Sequence, residues 1–300
     1  MPIVLDFEFM QSTLMSDLGL VSALQSGTIS EEVHDRPDYE HIIICIFFII
    51  STISIAIRTF FHHNKKNLNI QASKADLISY QATNMLVNLF LGLFGLYSYN
   101  FCLPDMSTLL ITHRIVGFHQ FKTFACAQIG YNLWSLPVGY FIVGENTAMM
   151  GHHLATIAVS SISLYGRFCF GYHIPFFFGL IEISSVPLAI MNFCKGNPEI
   201  AKKYFPYLGA IVRPIFAVSF LTTRVCMWTP AIYDVLRSTV MLCWTCTSVV
   251  NQICLGLFFI SVTFLTVLQY YWGSLVVKGL LKIFQSVQVQ KVNGDDCKKC

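Results

Sequence analysis

From Ser238 to Val277 the chain carries no Asp, Glu, Lys or Arg, and the same holds from Asn146 to Gly166. A helix of about 20 mostly apolar residues crosses a bilayer core, and only helices or closed barrels satisfy every backbone polar group there. The rest of the chain agrees. Its residues are 55% hydrophobic and 12% charged, where soluble domains carry about 25% charged residues. Mean hydropathy is +0.60. The first 25 residues contain Asp6, Glu8 and Asp17 but no Lys or Arg, which does not fit the basic start of a cleavable secretion signal. The fold class expected is an all-α polytopic membrane protein.

Seven segments are long and apolar enough to span: 41–59, 77–101, 123–143, 147–165, 168–192, 207–228 and 240–272. Polar stretches such as "RTFFHHNKKN", "KGNPEIAKK" and "TPAIYDVLRS" separate them. The last charge-free run has room for two short spans, but no Pro or strong turn interrupts it. It is therefore read as one long helix. Basic residues set the orientation. With the N-terminus lumenal, twelve Lys and Arg fall on the cytosolic side and five (Arg36, Arg114, Lys122, Arg167 and Arg237) on the other. The acidic tail before residue 41 is then translocated and the basic C-terminal tail stays in the cytosol.

Eleven cysteines are scattered along the chain, mostly in apolar runs where Cys packs as a small hydrophobe. Cys243 and Cys246 form a CxxC, read as packing residues rather than as a redox or metal pair. The terminal "CKKC" has lysines where a prenylation box needs aliphatic residues, so no lipidation is expected there.

Ionisable side chains inside spans are costly and face the bundle interior or a wet cavity. Here they are His152, His153, Glu182, Arg213 and Arg224. At about 1.5 Å per residue, the histidines lie about 11 Å from the cytosolic end, Glu182 about 15 Å and Arg213 about 9 Å. The expectation is one cytosolic-side layer holding an imidazole pair, a carboxylate and a guanidinium. Glu182 and Arg213 either neutralise each other or share in chemistry, and Arg224 snorkels near the far face. Adjacent helix positions diverge by about 100°, so one histidine can face a cavity while the other bonds a neighbouring helix. Their i, i+1 spacing is not the i, i+4 spacing of zinc helices, and no metal is expected. Asn84 with Asn88, and Gln128 with Asn132, have the i, i+4 spacing of interhelical hydrogen bonders. Pro137, Pro175, Pro187 and Pro214 lie within spans, where they kink helices and open space.

The stretch "ENTAMMGHHLATI" resembles the core motif of the TLC domain, shared by ceramide synthases, TRAM proteins and other lipid-regulating membrane proteins. Glu145, Met149, His152, His153, Thr156 and Ile157 take the motif places. "IEISSVPL" resembles the family's second block, with Glu182 at an Asp place and Ser184 and Leu188 matching. "FLTTRV" with Arg224 resembles the late Phe-x-x-x-Arg element, and "GYF" at 139–141 another. The resemblance covers about residues 75–272. Two departures stand out, since Ile181 replaces the second histidine of the synthases and Ser185 the second Asp. The chain is thus closer to the broader TLC-domain proteins than to ceramide synthases.

Charge and hydropathy divide the chain into an acidic tail at 1–40, a first helix and basic loop at 41–74 and a basic tail at 273–300, and the resemblance implies a six-helix TLC bundle at 75–272 between them. It also implies a role in membrane lipid homeostasis, in the form of acyl-CoA-dependent sphingolipid N-acylation in the endoplasmic reticulum membrane. His152 and His153 are then the catalytic candidates, with Glu182 supporting them. Glu145, Arg213 and Ser184 are the substrate-binding candidates. Expected partners are membrane lipids, acyl-CoA as co-substrate and a second copy of the chain in a homo-oligomer, with no cofactor and no nucleic acid. The alternative is a non-enzymatic lipid-binding regulator or cargo receptor of the early secretory pathway. A seven-helix receptor or transporter has less support, because no receptor signature is present.

Overall fold

The computed structural model describes residues 38–66, 72–105, 118–166, 170–246 and 248–296. Residues 1–37 of the acidic tail and the terminal "CKKC" lie outside the described residues. Helix α1 (Tyr39–His63) starts where the Asp38 side chain accepts the His41 backbone N–H at 3.2 Å, which satisfies one of the free donors at a helix start. Its outward side chains are apolar (Phe48, Ile49, Ile55) and exposed, as a lipid-facing helix requires. α2 (Ala72–Tyr97) runs into a wide turn at Ser98–Cys102. α3 (Lys122–Val138) is buried over most of its length and opens, just after Pro137, into a second wide turn at Gly139–Val143.

α4 (Thr147–Tyr165) follows at once. Gly144 makes the connection in the left-handed region, at φ 72°, a conformation that costs glycine little. Asn146 then caps α4, accepting the Met149 N–H at 3.0 Å.

The segment expected as a regular helix over 168–192 is broken. A single turn, α5 (Ile174–Phe177), leads into a tight 3₁₀ stretch at Leu180–Ser184 and then α6 (Ser185–Gly196). Packing explains the break. A Cβ on Gly95 of α2 would stand 2.2 Å from the Leu180 backbone nitrogen and 2.5 Å from the Gly179 Cα. The missing side chain lets α2 press directly on this turn.

α7 (Pro198–Tyr204) is a short connector, and α8 (Leu208–Leu221) continues through a wide turn at Thr222–Met227 into α9 (Trp228–Thr245). Together they make one helical span, Leu208–Trp244, of 37 residues. This corrects two expectations. "TPAIYDVLRS" is not a loop but part of α9, and 240–272 is not one helix, because the chain breaks at Cys246, whose backbone is extended. α10 (Val249–Asp296) starts afresh beyond the break. The charges in "TPAIYDVLRS" are tolerated within a helix in part because Asp234 accepts a hydrogen bond from His173 at 2.9 Å.

The fold is all helix, with no strand among the described residues. Five helical stretches are long and apolar enough to cross a membrane: Tyr39–Asn64, Lys74–Cys102, Ile174–Gly196, Leu208–Trp244 and Val249–Lys282. α3 and α4 are packed among them. α1 packs on α2 and α3 from outside. The others form a ring in which α3 meets α4, α4 meets α10, α10 meets α8 and α9, α8 meets α6, and α6 meets α2. Cys246 is buried and Cys243 partly so within the main apolar cluster, as packing residues.

Candidate functional site

His152 and His153 stand side by side on α4 and face different surroundings. His153 is 4% exposed. Its Nδ1 lies 2.7 Å from Asn132 Oδ1. The other Asn132 amide atom faces the Gln128 backbone carbonyl at 2.7 Å. A carbonyl cannot donate, so that atom is the NH₂ group and the oxygen faces the imidazole. His153 Nδ1–H is therefore the donor. Its Nε2 lies 3.4 Å from Ser135 Oγ, which in turn is 2.7 Å from Tyr80 Oη. Glu145 Oε2 stands 3.4 Å from the same Nε2 and makes no hydrogen bond.

The same logic orients the next links. Asn132 donates to Gln128 Oε1 at 3.0 Å. Gln128 Nε2 donates to the Phe178 carbonyl at 3.2 Å and to Glu182 Oε1 at 3.3 Å. Glu182 Oε2 accepts from Ser185 Oγ at 2.7 Å and from Arg224 at 3.0 Å. From His153 to Glu182 every donor points one way, and the chain ends on a carboxylate paired with a guanidinium. Arg224 is fully engaged as well. It donates to Ser184 Oγ at 2.8 Å, to Ser185 Oγ at 2.9 Å and to Gln269 Oε1 at 3.4 Å. Such a network tolerates burial because the links from His153 to Glu182 are satisfied and its buried carboxylate is paired with a guanidinium.

This placement corrects the expectation for both arginines. Arg224 does not snorkel, for it is 5% exposed and is the partner of Glu182. Arg213 is exposed on the outside of α8 and takes no part in the network. The reason is the length of the helix. Because α8 continues into α9, Arg224 sits mid-helix in the wide turn Thr222–Met227, about 16 Å along the axis from Arg213. Wide turns of this kind often occur at functional sites.

His152 faces a cavity of about 50 Å³ between α4, α9, α10 and the broken α5–α6 segment. Along α4 the cavity follows one helical stripe, His152, Thr156, Val159 and Ser163, about 16 Å from end to end. Glu182 and Gln269 share the wall with His152, and Phe177, Trp228 and Phe258 are among the apolar residues. The His152 ring is held edge-on by Trp272, with centroids 5.6 Å apart, and its Nδ1 is buried without a hydrogen-bond partner.

The structure thus brings His152 and Glu182 to one cavity. It joins His153 to Glu182 only through the polar chain, leaves Glu145 beside His153 with its Oε2 unbonded, uses Ser184 as a clamp on Arg224, and leaves Arg213 outside. Sequence reasoning missed Tyr80, Ser135, Ser185 and Gln269 as parts of the site. It took Gln128 and Asn132 for plain interhelical hydrogen bonders, although their i, i+4 spacing was the visible signal of the link between His153 and Glu182. Among the described residues no cluster of three or more His, Cys, Asp or Glu could hold a metal ion.

A ring of helices enclosing a polar chain and an apolar cavity defines a polytopic helical membrane protein with a built interior site. The TLC domain family matches residues 78–278, and the chain belongs to that family. The match points to a function connected with membrane lipids. No curated protein matches the chain.

Proposed function

We propose that this TLC-domain protein seats the head-proximal part of a membrane lipid's hydrocarbon chain in the α4–α9–α10 cavity, with the lipid's polar group at His152. One observation carries the reading: an imidazole with an unpartnered Nδ1 shares the wall of a largely apolar cavity with Glu182 and Gln269. In acyl transfer, His152 acts as general base on the amine of a sphingoid base as it attacks the carbonyl of an acyl-CoA thioester. The C–N amide bond forms, the C–S bond breaks, and the proton His152 accepted passes to the departing CoA sulfur. Glu182 is committed to Arg224, Ser185 and Gln128, so its part is to fix the wall of the site rather than to move a proton. His153, bonded on both sides, anchors the α3–α4 contact. The bias of basic residues supports a lumenal N-terminus and a cytosolic C-terminus, an orientation we assign within the endoplasmic reticulum membrane. In that orientation the His152 end of α4 is on the side from which acyl-CoA arrives.

The test is purified full-length protein incubated with acyl-CoA and a sphingoid base, wild type beside His152→Ala. Product from wild type and a loss of at least 100-fold in the variant is the expected result, within the range general-base catalysis supplies, about 10²–10⁴-fold. Equal product from both overturns the acyl-transfer mechanism. A second reading, a lipid-binding regulator or cargo receptor without turnover, is favoured by the replacement of the family's second histidine with Ile181, a buried core residue. It predicts lipid retention with no product from either protein.

A further inference from the structure

Gln269 is 1% exposed and lines the same cavity wall as His152 and Glu182. Its orientation follows from Arg224, which only donates. The Gln269 amide atom 3.4 Å from the Arg224 guanidinium is therefore the oxygen. The Nε2 amide is left buried with no acceptor, next to a cavity whose other unpartnered polar atom is His152 Nδ1. A buried donor without an acceptor costs about 1–3 kcal/mol. Two such atoms on one cavity wall mark where a ligand's polar group belongs.

Charge decides what kind of group. Arg224 and Glu182 cancel each other, and of the two only Glu182 lines the cavity. A carboxylate or phosphate entering here would meet the Glu182 carboxylate, while the guanidinium is turned away and already engaged. An uncharged group with an acceptor oxygen meets an open amide donor instead. Resting on the reading that the cavity holds a lipid chain, we propose that Gln269 is a specificity-determining residue. Its Nε2–H donates to an uncharged acceptor oxygen of the bound lipid, beside His152 Nδ1, and the site rejects anionic headgroups.

The experiment measures binding of two probes with the same hydrocarbon chain, palmitamide and palmitate, to full-length protein in nanodiscs at a pH where palmitate is ionised. Three proteins are compared: wild type, Gln269→Met, which keeps the length and loses the donor, and Val262→Trp, which fills the cavity. The expected result is at least tenfold tighter binding of palmitamide than palmitate by wild type. Gln269→Met then loses about tenfold for palmitamide and little for palmitate, and Val262→Trp loses both. Equal or tighter palmitate binding by wild type overturns the proposal without needing any variant to fold, as does unchanged palmitamide binding by a folded Gln269→Met. Binding that Val262→Trp leaves intact places the lipid elsewhere and overturns the cavity reading itself, and no binding of either probe overturns both.

Discussion

His152 and His153 share a helix turn and differ in almost everything else. Around His153 each strong donor points at an acceptor, through Asn132 and Gln128 to the Glu182–Arg224 pair. Around His152 the walls are mostly apolar, and two polar atoms, His152 Nδ1 and Gln269 Nε2, have nothing to bond. A satisfied buried network gives its full contribution to holding helices in register, and removing a member exposes the desolvation cost of what remains. An unsatisfied group on a cavity wall contributes nothing to folding, so its presence there points to a ligand. The contrast assigns the first region to architecture and the second to binding.

Replacing Arg224 tests the architectural side most severely. Arg224→Met leaves Glu182 buried beside Gln128 and Ser185 with no countercharge, and is expected to cost about 3–5 kcal/mol. Thermal unfolding in detergent measures the loss. The double variant Arg224→Met/Glu182→Leu should recover most of it, because burying neither charge is often as stable as burying both. A double variant as unstable as the single would show that the pair is not what holds this layer.

The next largest effect is expected at a residue outside the network. Gly95→Ala puts a methyl 2.2 Å from the backbone nitrogen of Leu180, so the 3₁₀ turn carrying Glu182 must move away from α2. Overpacking against backbone should cost about 3 kcal/mol, the upper part of the usual range. It should also lengthen the Glu182–Arg224 contact, and a variant that melts like wild type would mean that α2 does not seat this turn.

His153→Ala removes one link and strands Asn132 Oδ1, with an expected cost of about 2 kcal/mol, again read by thermal unfolding. His153→Asn, which can still donate across the helix contact, should recover part of that cost. Equal losses in the two variants would argue against the hydrogen bond and for ring volume.

How much of this was legible beforehand depends on the residue. The helical class and the divergence of the two histidines follow from hydropathy and helix periodicity, and the TLC resemblance from the motif residues at 145–157 and 181–188. The arginine assignment did not, because depth was reckoned from a helix end placed at "TPAIYDVLRS". That stretch reads as polar punctuation until His173 is seen bonded to Asp234, a contact made by residues 61 positions apart in the chain. The real break, at Cys246, has neither Pro nor Gly next to it to announce it. Gln269 was invisible for a related reason. In the charge-free run it is one amide among many residues, and only Arg224 in register beside it fixes which of its atoms is left open.

The smallest stability change is expected at His152, and there the comparison is sharpest. His152→Ala removes ring contact with Trp272 but no hydrogen bond to the imidazole, and the site already borders a cavity. The change in unfolding should therefore be about 1 kcal/mol or less, comparable to a substitution away from any buried network, while ligand retention falls sharply. His153→Ala should show the reverse, a larger loss of stability with the cavity wall at His152 still in place. If the two substitutions prove equally destabilising, His152 is a packing residue like its neighbour. The division of this helix turn into one structural and one functional histidine then fails.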